Sequence, residues 1–220
     1  MPDEARINLR ALAAVSLVAS SETVTRHYLC GVCLEITEDA TIYVATDGHR
    51  LVAHYAPLGE KDERNTLTGT FIIPTLSCRH FKLKTRETGD DARLSRRGDD
   101  QLSLFLWGDM HNFAPIDGTF PDWRRVMPRE VNLKRAYFDG DYVASFNQVA
   151  RKLGHMNGCM GKTYIAPNGD DAALVTFPES AGGPYTIGVL MPIRGHANAE
   201  APAWHSAPVP VKRRREKVAA

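Results

Sequence analysis

The shortages in this sequence narrow the field before any motif does. Net charge is nearly absent: 27 Lys and Arg stand against 26 Asp and Glu, leaving +1. Bulk charge therefore holds it to no partner, and a nucleic acid would have to meet a localised basic surface. No apolar run approaches the ~20 residues that cross a bilayer. The first ten residues, MPDEARINLR, contain no apolar signal core, so a cytoplasmic protein with no membrane partner is expected. Cysteine is scarce. Cys30-Gly-Val-Cys33 has metal-like spacing, but Cys78 and Cys159 lie far apart and supply no second pair. Residues three apart on a strand also point to opposite faces, which turns Cys30 and Cys33 away from a shared ion. No metal or other cofactor is expected. The eight histidines are scattered, and no nucleophile, base and orienting group gather in the pattern. The chain does not read as an enzyme.

What is present is ordinary globular material, 43% hydrophobic and 24% charged, in 220 residues with ample length for a core. Residues 26–51 (RHYLCGVCLEITEDATIYVATDGHRL) organise the rest. Leu29, Val32, Leu34 and Ile36 supply the apolar positions of one strand, Ile42 and Val44 those of the next. Asp47-Gly48 then marks a tight turn, since glycine accepts positive φ without strain. Thr46, His49, Arg50 and Leu51 crowd that turn with a hydroxyl, an imidazole, a guanidinium and an isobutyl group. Donors at the rim of an apolar floor can hold a peptide, although a polar hairpin tip needs no such role.

Taken in order, residues 6–9 read as a strand entering a helix over 9–20, followed by strands over 28–36 and 41–56 and a turn-rich loop at 57–68. The order then recurs. Phe71-Ile72-Ile73 is a strand, Pro74 suits a helix's first turn, a helix covers 76–83, and strands cover 93–95, 102–107 and 110–116. A third round has a strand at 136–138 and a helix with Asp141 as N-cap, with Tyr142, Val143, Phe146, Val149, Ala150 and Leu153 on one packing face, and with Gly154 as its stop. Strands at 163–165, 173–177 and 185–193 complete it. The pattern predicts three βαβββ-like modules of about fifty to sixty residues, a repeat of pattern and not of sequence. Residues 116–130 (IDGTFPDWRRVMPRE) join the second module to the third. Pro121 and Pro128 deny them regular structure, while Phe120, Trp123, Val126 and Met127 should pack against something. Beyond Arg194 the composition turns to Ala, Pro, Gly and His and then KRRREK, which reads as a disordered basic tail over 195–220.

Three stretches together resemble the β subunit of bacterial DNA polymerase III, the sliding clamp. They are RHYLCG (26–31) with ATDGHRL (45–51), DGTFPDWRRV (117–126) with Pro128, and VLMPIR (189–194). The resemblance implies an α+β DNA-clamp fold built from βαβββ modules. Residues 1–128 resemble a complete clamp domain of two modules, and 129–194 half of a final domain. The family's first domain and the first half of its third have no counterpart, and this chain runs 26 residues past the arginine on which the family ends.

In that family partner peptides bind between the middle and last domains. The matching positions are Leu29, Thr46, Gly48, His49, Arg50, Leu51 and Pro128 on one side. On the other are Val189, Leu190, Met191, Pro192, Ile193 and Arg194. Apolar walls, an adaptable methionine, two prolines and arginine donors suit that task. The implied partners are a DNA polymerase or other clamp-binding proteins that present a short peptide motif. The resemblance also implies double-stranded DNA running past helices that face a ring's centre. The helices carry Arg10, then Arg79 and Lys82, then Arg151 and Lys152, with Arg26, His27 and Tyr28 placed to project on the same side. Contacts of this kind go to phosphate and ignore sequence.

Gln101-Leu-Ser-Leu-Phe105 is similar to the peptide motif by which partners reach such clamps, but Leu102, Leu104 and Leu106 also suit a core strand, which is the preferred account. The function expected is a clamp-like polymerase processivity factor. The alternative is a clamp mimic that sequesters clamp partners without encircling DNA. A ring of this family counts twelve modules, so four copies of this chain would complete one.

Overall fold

Asn8 ends the first strand and starts the first helix. Its side chain accepts a hydrogen bond from the Ala11 amide at 2.8 Å, capping the helix. Its own amide donates to the Tyr43 hydroxyl, also at 2.8 Å, inside the core. From this beginning the computed structural model describes residues 3–21, 26–60, 62–81, 91–98, 100–154 and 161–194.

The elements run β1 (Glu4–Asn8), α1 (Leu9–Val15), β2 (Gly31–Ile36), β3 (Ala40–Thr46), β4 (Arg50–Pro57), β5 (Gly69–Pro74) and α2 (Thr75–Cys78). Then follow β6 (Asp91–Arg97), β7 (Gln101–Leu106), β8 (Asp109–Phe113), α3 (Gly140–Leu153), β9 (Tyr164–Ala166), β10 (Ala173–Thr176) and β11 (Thr186–Leu190). They form a four-stranded sheet, β1-β6-β7-β8, and a seven-stranded sheet, β5-β2-β3-β4-β11-β10-β9, antiparallel throughout. The first two modules exchange their leading strands: β1 pairs with β6, and β5 with β2. Neither module can form its sheet without the other. The third module joins through β11, which lies against β4 with Leu51 opposite Val189 and Ala53 opposite Ile187. The seven-stranded sheet therefore crosses residue 128 without a break.

One face of the sheets meets the helices. α1, LRALAAV, is buried along its whole length, its alanines allowing close approach. α3 lays Phe146, Val149, Ala150 and Leu153 into the same core. A Cβ on Gly188 would stand 2.7 Å from the Phe146 ring, so only glycine lets α3 settle on β11 there. The other face of the seven-stranded sheet carries Cys33, Val44, Leu51, Ala53 and Val189, packed with Phe120, Trp123 and Met127 of the connector. The connector packs as its composition suggested except at Val126, which is 49% exposed. Its Trp123 indole donates to Glu35 at 2.8 Å, and Arg124 grips the same carboxylate at 2.9 and 2.6 Å. Those bonds, Arg124's first, hold the Glu35 carboxyl below the usual carboxylate range.

Several local expectations need correction. Asp139, not Asp141, caps α3, accepting from the amides of Asp141 and Tyr142. Gly154 does end that helix as expected, in an extended conformation. Pro74 is the last residue of β5, and the helix after it is a single turn, because β2–β5 pairing runs through Gly31 and Pro74. Residues 136–138 form no strand: the Tyr137 carbonyl takes a 2.7 Å bond from the Ile193 amide, and no strand lies alongside. Lys82 and the tail over 195–220 lie outside the described residues.

His54 on β4 makes the joint with β11 sensitive to acid. Its Nδ1 lies 2.8 Å from the Thr186 hydroxyl across the two strands, and burial pushes its pKa down to about 4. The unfolded chain, with a histidine pKa of about 6.5, takes up a proton that the fold refuses. This contribution is complete above pH ~6.5 and is lost as pH falls toward ~4, at up to ~1.4 kcal/mol per pH unit. Urea midpoints measured from pH 7 to 4.5 should fall less steeply for His54→Gln than for the wild type. Parallel slopes would remove His54 as a cause.

Candidate functional site

The turn after β3 is fixed by its own side chains. Asp47 Oδ1 accepts from the amides of His49 and Arg50 at 2.9 and 3.0 Å, and its Oδ2 accepts from Arg50 Nε at 2.9 Å. The Thr46 hydroxyl donates to the Arg50 carbonyl at 2.7 Å and accepts from the Gly48 amide at 3.1 Å. Gly48 takes φ of +93°, the left-handed geometry for which the turn requires glycine. Arg50 is thus aimed by the turn itself.

It is aimed at α3. The Arg50 guanidinium lies 4.7 Å from the centre of the Tyr142 ring, a cation–π distance. The His49 imidazole stacks on the same ring at 5.7 Å, with 19° between planes. The terminal segment closes in from β11: the Met191 amide donates to the His49 carbonyl at 2.8 Å, carrying the β4–β11 pairing one step further. Two stretches about 140 residues apart in sequence therefore meet at one rim.

The expected peptide-binding residues divide by depth. Leu29, Leu51, Val189 and Leu190 are buried, and Leu190 belongs to the helix-side core, where its role is packing. Leu51 and Val189 share the opposite cluster with the connector. Met191 and Ile193 are 42% and 51% exposed, Gly48, His49 and Arg194 are exposed, and Thr46, Arg50, Pro128 and Pro192 are half-buried. Tyr142 escaped the sequence reading, which assigned it to the helix's packing face by periodicity. A cleft of about 960 Å³ opens elsewhere, between the connector and β5, lined by Cys33, Glu35, Phe71, Phe120 and Trp123.

The basic residues are not alike. Arg10 is only 6% exposed, so it lies within the helix layer instead of on its open face. Arg79 donates to the Ser16 hydroxyl and carbonyl at 3.0 and 2.8 Å. The Lys152 ammonium titrates low, first through partial burial and then through the charges of Arg79 and Arg10. Three cations from the regions of three helices thus converge. Arg151 is exposed beside them in sequence. Arg26 and His27 are exposed and Tyr28 half-buried, and the His27 Nε2 sits 2.9 Å from the Asp117 carbonyl at the start of the connector.

Gln101–Leu106 is β7, inside the four-stranded sheet with Leu102 and Leu104 buried, so its motif-like letters serve the core. Among the described residues no cluster of three or more His, Cys, Asp or Glu could hold a metal ion. Burial pushes the Cys33 and Cys78 thiols up to about 12. Among the described residues no helix is long and apolar enough to cross a membrane.

Comparison with known proteins follows the same lines. The family model for the DNA polymerase III beta subunit, central domain, matches residues 7–122. A beta sliding clamp from Synechococcus elongatus is 25% identical over 170 residues, 76% of this chain and 44% of that protein. One from Haemophilus influenzae is 29% identical over 123 residues, 56% of this chain and 32% of that protein. This chain therefore spans less than half the length of either relative. Of solved structures, the DNA polymerase sliding clamp from Bacillus subtilis superposes with a TM-score of 0.61 at 14% identity, covering 88% of this chain and 64% of that one. The beta subunit from Streptococcus pyogenes gives 0.62 at 13% identity, with 89% and 66% covered. The fold is that of the clamps, and with the family's central domain filling more than half of its length, the chain belongs to the DNA polymerase III β-subunit family.

Proposed function

We propose that this chain is a clamp-type processivity factor for a DNA polymerase, cytoplasmic and without catalysis of its own. It takes partner peptides at the junction of Thr46–Leu51 with residues 189–194 and contacts duplex DNA without regard to sequence. In this reading residues 1–128 are one clamp domain and 129–194 a half-domain docked on it. Residues 195–220 stand outside both. The observation that carries it is the meeting of His49, Arg50 and Tyr142 with Met191, held by the Met191–His49 backbone bond.

The chemistry suits a short peptide with leucine and phenylalanine anchors. Met191 and Ile193 offer exposed apolar surface above Leu51 and Val189, and methionine's unbranched chain adapts to the anchor it meets. Arg50 and Arg194 provide donors for the peptide's carbonyls and acidic groups. Polymerases and other clamp-binding proteins are the partners proposed. DNA contact would rest on Arg79, Arg151 and Lys152, with Arg10 adding positive potential from below, and on Arg26 to Tyr28 if the duplex reaches them. Self-association belongs to the same reading, since three modules per chain and twelve per ring require four copies.

Two measurements follow from this reading. A fluorescent clamp-motif peptide should bind the wild type, and the double variant Leu51→Ala, Met191→Ala should lose ~2–4 kcal/mol, the scale of interface anchors. Met191→Ala alone, at an exposed position, should weaken binding with no change in melting temperature. Equal binding by all three proteins refutes the pocket. Duplex DNA, in turn, should bind weakly and without sequence preference, with affinity falling steeply as salt rises. Deleting residues 196–220 removes the Lys212–Lys217 arm, and the remaining affinity should fall further in Arg79→Ala, Arg151→Ala, Lys152→Ala. If all DNA affinity leaves with the tail, the helix face is not the contact.

A further inference from the structure

The connector covers only part of the outer face of the seven-stranded sheet. Where β4 ends and β11 begins, that face carries Tyr55 and Tyr185, 43% and 50% exposed. Their rings lie 6.2 Å apart, tilted by 32°, across the β4–β11 pair. Tyr164 on β9, 61% exposed, shares the face, because it stands opposite Thr176, which stands opposite Ile187. Single exposed apolar side chains are ordinary, but three aromatic rings on one sheet face form a surface that can take a partner.

Acids rim that end of the sheet. The Leu58 amide donates to the Asp39 carbonyl at 2.7 Å, which sets Glu38 and Asp39 of the β2–β3 turn beside the end of β4. Glu60 follows two residues later in the chain. From the other side comes Glu179, whose Cγ lies 3.5 Å from where a Cβ on Gly183 would stand, two residues before Tyr185. Asp39 is paired with Arg64 at 2.7 Å. Glu38, Glu60 and Glu179 are exposed and form no ion pair among the described residues. An aromatic floor with an acidic rim suits a proline-rich, basic segment: tyrosine rings receive prolines and cations, and carboxylates receive arginines.

This chain carries such a segment. Residues 202–217, PAWHSAPVPVKRRREK, contain three prolines, and their last six residues hold five cations against one acid. We propose that residues 202–217 dock on this face of their own chain, Pro208 and Pro210 against Tyr55 and Tyr185 and the Lys212–Lys217 run among Glu38, Glu60 and Glu179.

Order and reach both agree. The chain leaves β11 at the Arg50 end of the sheet, so a segment returning along the face meets the tyrosines first and the acids beyond them. Its prolines precede its cations in the same order. The way back from Leu190 to Tyr185 is five strand residues, ~17 Å. A flexible chain as long as residues 195–207 has an end-to-end distance of roughly 20 Å, which matches the span and makes even a weak contact effective within one molecule. Prolines also lower the entropy lost on docking. The peptide site is a poor alternative for this segment: Arg50 and Arg194 at its rim repel the basic run, and residues 195–220 contain no leucine or phenylalanine to anchor there. The tyrosine face lies at the opposite end of β4 and β11 from that site, so the docking stands apart from the function proposed above.

The test uses the whole chain at low concentration. Carbodiimide coupling followed by mass spectrometry should join Lys212 or Lys217 to Glu38, Glu60 or Glu179 within one molecule. Trypsin should cut after Arg213–Arg215 at least about fivefold faster in Tyr55→Ala, Tyr185→Ala than in the wild type, since cleavage follows the population of the undocked segment. Pro208→Ala, Pro210→Ala leaves the sheet untouched and should show the same acceleration, as should Glu179→Lys. Unchanged clamp-motif peptide binding and melting temperature report that the tyrosine variant keeps its fold. Equal cleavage of the wild type and the proline variant overturns the proposal. Coupling to Asp117 or Asp122 instead would put the segment in the cleft beside β5, and coupling between isotopically distinguished copies would make the occupant a second molecule. Either result overturns it as well.

Discussion

The antiparallel pairing of β4 with β11 is the constraint on which the rest depends. It joins residues more than a hundred positions apart into one sheet and fixes Leu51 opposite Val189 and Arg50 opposite Leu190. Every feature of the candidate site is referred to that register. Gly188 leaves room for Phe146, which seats α3, and α3 in turn presents Tyr142 to Arg50 and His49. A slip of one residue would exchange the cluster under the connector for the helix-side core. The long loop closed by this pairing is costly in entropy, though the cost grows only slowly with loop length. The buried apolar strands on both faces offset it.

The two faces of that sheet are secured by different means. On the helix side the gain is apolar burial, at roughly 25 cal/mol per Å². On the outer side the connector brings Phe120, Trp123 and Met127 onto Val44, Leu51 and Val189. The Glu35–Arg124 pair nearby is solvent-exposed on the arginine side, so its share is small beside the aromatic packing and its role is orientation. Against these gains stands the convergence of Arg10, Arg79 and Lys152, where Lys152 titrates low first through partial burial and then through its two cationic neighbours.

Much of this was legible in the letters. Thr46-Asp-Gly-His-Arg-Leu51 announced a tight turn with donors around it, and the turn forms as the aspartate–glycine chemistry requires. The sticky connector did find a surface. The misreadings are local. Asp139 and Asp141 are equally good caps in a sequence, and only the path into α3 chooses between them. Arg10 reads as a surface charge on a helix, yet α1 is enclosed between the sheets and α3, so its guanidinium is buried. Tyr142 falls on the packing stripe by periodicity, but at the first turn of the helix that stripe emerges at the rim beside Arg50. The exchange of β1 and β5 between modules, and the pairing of β4 with β11, are tertiary choices that no local pattern encodes.

The central claim is that β11 belongs to the same cooperative unit as β4, so that the site's two halves are held as one. Hydrogen exchange of backbone amides in increasing urea tests it directly. The account predicts that amides in β4 and β11 exchange only through the same global opening as those of β2 and β3, with one free energy and one denaturant slope. Exchange of β11 by a separate, lower-energy opening while β2 to β4 stay protected would contradict it.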